Sequence, residues 1–153
     1  MQQPYQLAEV EPDYAGVGSR SLAFVIDAFV LSTVSWLMVG MSGTTIPVHP
    51  VRTIFGFDVY VSGPLVVGVG LFVLLYFVVM EGVLGYTLGK YVMGLRVISA
   101  DGFSLSWGQA IVRNVLLPVD ALVGYLVGVI CIWATERRQR VGDLVAKTIV
   151  VHV

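Results

Sequence analysis

The feature that most constrains this chain is a set of long apolar stretches that contain ionisable residues. Two stretches, 21–41 and 64–84, have 21 residues each, and a third apolar region covers 106–135. A helix needs about 20 apolar residues to cross the hydrocarbon core of a bilayer. Hydrophobic residues make up 57% of the 153-residue chain, which is more than a soluble domain of this size can bury. The sequence therefore predicts an integral membrane protein whose apolar side chains are covered by lipid.

The predicted fold is an all-α multi-pass membrane protein with two full transmembrane helices, formed by the first two stretches. The third region, 106–135, exceeds one span and contains Pro118, and a proline breaks or kinks a helix because it removes a hydrogen bond. We expect two helical pieces, about 106–117 and 118–135. The first piece would be roughly 18 Å long, too short for a hydrocarbon core of about 30 Å. It should lie in the membrane interface or enter the membrane and return.

Polar segments with strand-like runs separate and follow the apolar regions. The stretch 42–63 predicts an exposed loop with one short hairpin. In the loop 85–105, two strand-like runs flank an Asp-Gly pair at 101–102, which is a strong hairpin signal. The basic tail, 136–153, ends in the strand-like run TIVVHV, which could pair with 95–99. We therefore expect short β-like segments in the loop and in the tail.

The positions of Lys and Arg predict the orientation in the membrane. The segment 1–19 is polar and acidic, unlike a secretory signal, so the first apolar stretch is expected to remain as a span of a membrane domain over 20–153. With an even number of crossings, one side carries seven basic residues and the other carries one. Three crossings would divide them three against five. Because basic residues are enriched in cytoplasmic flanks, we predict that both termini are cytoplasmic.

Five ionisable residues form the predicted intramembrane charged cluster: Arg20, Asp27, Glu81, Arg113 and Asp120. An ionisable side chain inside a membrane is costly and is therefore a candidate functional residue. Asp27 and Arg113 would lie at the same depth, about 10 Å from the interface, and we predict a direct pair between them. Such a pair could tie helices together, relay protons or ions, or contact lipid or a partner. Glu81 lies near an interface, where its side chain could reach the headgroups, and Asp120 could cap or kink a helix.

No sequence pattern indicates an enzyme or a cofactor. His49 and His152 have no neighbours at the spacing of a zinc site, and no serine or cysteine lies in a nucleophile motif. The segment 85–90, GYTLGK, lacks the glycine spacing and the final Ser or Thr of a phosphate loop. The single cysteine, Cys131, cannot form an internal disulfide. We expect no catalytic residues, no metal, no cofactor and no binding of nucleic acid.

Three sequence blocks resemble the RDD family of small bacterial membrane proteins, which takes its name from one arginine and two aspartates. The blocks are SRSLAFVIDAFVL, GYTLGKYVMGLRVISADG and RVGDLVAKTIVV, and the segment AIVRNVLLPVDAL also fits. The resemblance covers nearly all of 15–151 and marks seven signature residues: Arg20, Asp27, Gly89, Lys90, Arg96, Asp143 and Thr148. Lys147 departs from the pattern, because a small residue, often glycine, is usual there. The backbone conformation at this position is therefore left open.

The resemblance implies a protein of the bacterial cytoplasmic membrane. Some members of the family are proposed to exchange monovalent cations for protons, and by that analogy Arg20, Asp27 and Asp143 would be the defining residues. Asp143 lies outside the predicted spans. We expect it to cap the tail or to clamp the tail against the 90–96 loop, rather than to carry an ion.

Two functions remain open at this point. The first is a small transporter of monovalent cations or protons, or a subunit of one, with Asp27 as the binding group beside Arg113. It would be oligomeric, because three short apolar regions enclose little volume. The second is a non-catalytic scaffold, assembly factor or accessory subunit. The expected partners are therefore the lipid bilayer and either further copies of the chain or a larger membrane complex.

Overall fold

The computed structural model describes residues 12–42, 49–52, 58–61, 63–120 and 126–153. This described part of the chain forms seven helices and four strands. Most of the predicted N-terminal segment, residues 1–11, and the middle of the third apolar region, 121–125, lie outside the described residues. The predictions made for those two segments stay predictions.

Two long helices account for the first two apolar stretches. Helix α1 covers Val17–Ser42 and helix α2 covers Gly63–Leu84. With 26 and 22 residues, they are about 39 and 33 Å long at 1.5 Å per residue. Both are long and apolar enough to cross a membrane, over Val17–Leu37 and Val67–Leu84, and only 17% and 11% of the residues in these windows are buried inside the protein. Apolar helices with few side chains buried in protein are suited to contact with lipid.

A short hairpin lies between the two long helices, as the sequence predicted. Strand β1, His49–Arg52, pairs antiparallel with strand β2, Asp58–Val61. The connection places the hairpin at one end of the helices. At the other end, the Phe24 and Phe77 rings stack with their centroids 6.4 Å apart, which joins the start of α1 to the end of α2.

The third apolar region breaks close to the place that the sequence predicted. Its described residues form α4, Trp107–Val115, α5, Leu117–Asp120, and α6, Leu126–Ala134. The first break falls at residue 116, because Pro118 occupies the first turn of α5, where its missing N–H is not needed. The described residues thus break close to the predicted boundary between 106–117 and 118–135, and the second piece as a whole stays a prediction because 121–125 lie outside the described residues. At nine residues each, α4 and α6 are only about 14 Å long.

A small sheet joins the loop to the tail, and the predicted pairing is confirmed. Strand β3, Leu95–Ser99, pairs antiparallel with strand β4, Thr148–His152. The side chains of Leu95, Val97 and Val150 pack in a buried apolar core with Ala15 and Ala23 of the N-terminal part of the chain. The Asp-Gly turn at 101–102 makes only one isolated bridge rather than a second hairpin, and β3 has β4 as its strand partner.

Two short helices complete the described fold. Helix α3, Leu88–Val92, packs against α1, and helix α7, Val141–Ala146, packs against α4. At Gly89 a Cβ atom would lie 2.0 Å from the Ala23 carbonyl oxygen, so only glycine permits this approach. Lys147, directly after the end of α7, has the left-handed conformation with φ 52°, which explains why a small residue is usual there.

Candidate functional site

Four buried carboxylates lie close to four cationic side chains, of which Arg113 is buried and the other three are partly buried. The members of this charged cluster are Asp27, Glu81, Asp120 and Asp143 with Arg20, Lys90, Arg113 and Arg140. The four carboxylate residues are at most 1% exposed. Removing a charge from water is expensive unless it is paired and hydrogen-bonded. The arrangement of partners within the cluster therefore decides what each group can do.

Glu81, near the end of α2, is held by three donors. It forms ion pairs with Lys90 Nζ and with Arg113 Nε, the latter at 3.2 Å, and it accepts a hydrogen bond from Asn114 Nδ2 at 2.8 Å. The prediction that its side chain reaches the headgroups is wrong, because the residue is 0% exposed. The cations of α3 and α4 enclose it instead.

Asp143, in α7, has the largest number of cationic partners. Its oxygens lie 2.6 Å from Arg20 Nη1, 3.1 Å from Arg113 Nη2 and 3.4 Å from Arg140 Nε. It also accepts the backbone N–H of Arg140 and so caps its own helix. Burial alone would raise the pKa of the Asp143 carboxyl, but the charges of these arginines outweigh burial and hold that pKa well below its usual range. The capping prediction is confirmed, whereas the clamp against the 90–96 loop is wrong.

Arg113 bridges Glu81 and Asp143, so the predicted direct pair between Asp27 and Arg113 is wrong. The guanidinium uses Nε for Glu81 and Nη2 for Asp143. Helix α4, which carries Arg113, packs against α2 and α7, while α1, which carries Asp27, packs against α3. Equal depth in a membrane does not determine which faces of two helices meet, and the helix packing here turns Arg113 toward other acids.

Asp27 is surrounded by uncharged donors. Its Oδ1 accepts the Tyr76 hydroxyl and the Gly89 backbone N–H, both at 2.8 Å, and its Oδ2 accepts the Thr87 hydroxyl at 2.5 Å. The two hydroxyls are themselves aligned, because Tyr76 accepts the N–H of Leu88 and Thr87 accepts the N–H of Lys90. Sequence reasoning missed Tyr76 and Thr87. Thr87 could have been found as the N-cap of the helix that contains signature residue Gly89.

Asp120 connects the third apolar region to the tail. Its Oδ1 accepts the backbone N–H of Val141 at 3.0 Å, and its Oδ2 lies 3.5 Å from Arg140 Nε. The expected helix-capping role is confirmed, although the capped helix is α7 rather than the helix of Asp120 itself. Of the remaining signature residues, Arg96 and Thr148 lie in the sheet, and Thr148 is paired with Ser99.

A cavity of about 270 Å³ lies beside the charged cluster. Its charged lining comprises Arg20, Lys90, Arg113, Arg140, Asp27 and Asp120. Apolar side chains from α1, α2 and α6 form much of the rest, including Phe24, Val25, Phe77, Val129 and Ile132. Asp27 thus faces a partly open space that is polar on one side and apolar on the other. Among the described residues, no group of three or more His, Cys, Asp and Glu side chains could hold a metal ion.

Comparison with known proteins agrees with the sequence resemblance. The sequence profile of the RDD family matches residues 14–147. A Bacillus subtilis (strain 168) protein named "Uncharacterized membrane protein YteJ" is 32% identical over 140 residues, which are 91% of this chain and 81% of the relative. No solved structure matches the chain.

Proposed function

The chain belongs to the RDD family and is similar to a protein named as a membrane protein, and from this premise we propose that it exchanges monovalent cations for protons across a bacterial cytoplasmic membrane. Asp27 is the residue that binds the two ions in turn. One observation carries the proposal: Asp27 is a fully buried carboxylate in a candidate span that lines a cavity and is held by uncharged donors.

The neutral surroundings of Asp27 suit alternate binding of a proton and a cation. Asp143 lies against three cationic groups, which favour its ionised form and oppose uptake of a proton, whereas Asp27 is held by uncharged donors. The hydroxyls of Tyr76 and Thr87 can rotate and change from donors to acceptors. A protonated Asp27 could then donate to one of them, and a bound cation could take oxygen ligands from all three side chains. The two ions compete for one carboxylate, which is the requirement for exchange.

The proposed topology places both termini in the cytoplasm. It has two crossings, by α1 and α2, and the short helices α4 and α6 do not cross separately. The division of basic residues, seven against one, supports this arrangement. A homo-oligomer would supply the walls of a pathway, since two long helices enclose little volume. Cysteine labelling from each side of the membrane tests the topology, and a tail labelled from outside would contradict it.

The experiment for the exchange function uses the full chain in proteoliposomes that contain a pH-sensitive dye. A pulse of Na⁺, K⁺ or Li⁺ should move protons in the opposite direction. Asp27→Asn keeps the size of the side chain but cannot take up a proton at neutral pH, so the flux should fall to that of empty vesicles. Asp101→Asn, the same change in the exposed turn, should leave the flux unchanged. Equal flux from Asp27→Asn and the unaltered protein would remove Asp27 from the mechanism.

A second candidate function is that of a non-catalytic scaffold or accessory subunit in a larger membrane complex. The ion pairs through Arg113 favour it, because they tie α1, α2, α4 and α7 together without requiring any ion flow. In that case the purified chain alone would show no cation-dependent proton flux. Asp27→Asn would instead reduce the amount of protein in the membrane or the recovery of a partner, and Asp101→Asn would do neither.

A further inference from the structure

We propose that the cavity beside the charged cluster binds a phosphate group that also carries a hydroxyl donor, with an apolar chain leaving toward the membrane. The chemistry follows from two groups in the cavity wall whose hydrogen bonds are incomplete and from the apolar remainder of the lining. This site is separate from the three donors that hold Asp27.

The first group is a hydrogen-bond donor of Arg113. The residue is 1% exposed and lines the cavity, and its Nη1 has no hydrogen-bond partner among the described residues. A buried guanidinium nitrogen without an acceptor is unfavourable, and an anionic oxygen is the strongest acceptor it can take. Four cationic and two carboxylate residues line the cavity, and Glu81 and Asp143 pair with these cations from outside the lining, so the charges of the cluster balance. The preference for an anionic oxygen therefore rests on the Nη1 donor of Arg113, which has no acceptor among the described residues.

The second group is a hydrogen-bond acceptor of Asp120. Its Oδ2 is buried, lies 3.5 Å from Arg140 Nε and has no hydrogen-bond partner within the described part of the chain. A bare phosphate would satisfy Arg113 but would repel this carboxylate. A hydroxyl attached to the phosphate, as in a glycerol headgroup, could donate to Asp120 while the phosphate accepts from Arg113. The pair of incomplete groups thus selects a phosphate that carries a hydroxyl.

The apolar part of the lining indicates where a chain would leave. Phe24 and Val25 of α1 line the cavity and are 39% and 59% exposed, so this part of the wall reaches the outer surface of the helix. A volume of about 270 Å³ lies just below the lower limit of roughly 300 Å³ for pockets that hold drug-sized ligands. It fits a headgroup and the first part of a chain, and the rest of a lipid would lie along α1. Basic pockets beside membrane helices bind anionic headgroups in this way.

The test measures binding to the purified full chain in detergent by native mass spectrometry. Phosphatidylglycerol, which has the phosphate and the hydroxyls, is compared with phosphatidylcholine, which has the phosphate but a cationic headgroup without hydroxyls. A third arm adds inorganic phosphate and glycerol phosphate, which have no chain. We expect phosphatidylglycerol to bind at least about tenfold more tightly than phosphatidylcholine, a difference of about 1.4 kcal/mol. Retention of glycerol phosphate alone would identify a free phosphate ester as the ligand.

Two variants of α1 locate the site without altering the ion pairs. Val25→Trp fills the exposed edge of the cavity and should weaken phosphatidylglycerol binding by roughly tenfold or more. Leu22→Trp, at a half-exposed position of the same helix outside the lining, should leave binding unchanged. If Val25→Trp does not fold, Val129→Trp blocks the same cavity from α6. Equal binding of the two phospholipids without retention of glycerol phosphate, or equal effects of the two α1 variants, would overturn the proposal.

Discussion

Asp143→Asn is the substitution that tests the charged cluster most severely. The change keeps the shape of the side chain and removes one negative charge that three arginines share. In the folded protein Asp143 lies 2.6 Å from Arg20, 3.1 Å from Arg113 and 3.4 Å from Arg140. The neutral amide would leave these guanidiniums close together, with Glu81 and Asp120 as the remaining acids in contact with Arg113 and Arg140.

The magnitude follows from burial. Asp143 is 0% exposed, and breaking a buried ion pair by removing one partner destabilises a protein by about 3–5 kcal/mol. For a chain of this length, that loss corresponds to a fall in Tm of roughly 6–20 °C. Asp101→Asn, in the exposed turn, should change stability by less than about 0.5 kcal/mol.

The assay measures thermal unfolding of Asp143→Asn and Asp101→Asn in the same detergent, with circular dichroism as the signal. A double-mutant cycle with Arg20→Gln isolates the pair of Arg20 and Asp143. The double variant no longer holds the uncompensated charge of Arg20. Its loss of stability should therefore be smaller than the sum of the losses in the two single variants. The reasoning is refuted if Asp143→Asn unfolds at the same temperature as Asp101→Asn. Additive single effects would show that Arg20 and Asp143 are not coupled.

Three further predictions concern acid stability and two backbone positions. Folding lowers the pKa of Asp143, so its carboxylate stabilises the protein fully above the unfolded pKa of about 4. This stabilisation is lost as the pH falls further. The free energy of unfolding of Asp143→Asn should therefore decline less steeply with acid than that of the unaltered protein. Gly89→Ala, which places a Cβ 2.0 Å from a backbone carbonyl, should lose about 1–3 kcal/mol or more in thermal unfolding, whereas Gly108→Ala has open space and should not lose stability. Lys147→Gly removes left-handed strain at the end of α7 and should add about 0.5–1 kcal/mol, and a lower Tm would contradict this explanation.

The parts of the fold that follow local patterns could be predicted from the sequence. The two long helices follow from apolar length, and the pairing of 95–99 with the end of the tail follows from two strand-like runs that were expected on the same side of the membrane. The gathering of charges also followed, because a buried charge inside lipid has to find a partner. The break near Pro118 also followed, although it falls at residue 116, because a proline is tolerated in the first turn of the following helix.

The identity of each ion pair could not be predicted, because it depends on how the short helices pack. Depth in the membrane alone predicted that Asp27 and Arg113 would pair, because both were placed at the same depth. Helix α4 instead turns Arg113 toward Glu81 and Asp143. The sequence pattern placed Asp143 in the tail, outside the predicted charged cluster. Its burial follows from the sheet, since pairing of β4 with β3 brings α7 back against α4. Contacts between residues more than a hundred positions apart, such as Arg20 with Asp143, leave no local pattern in the sequence.

Chemical labelling of Asp27 tests the central claim most directly. A hydrophobic carbodiimide reacts with a protonated carboxyl in an apolar site, and peptide mass spectrometry locates the modified residue. If Asp27 binds a proton and a monovalent cation in turn, labelling at Asp27 should increase as the pH falls, and Na⁺ or the transported cation should suppress it at constant ionic strength. Absence of labelling at Asp27, or labelling that no monovalent cation suppresses, would contradict the account.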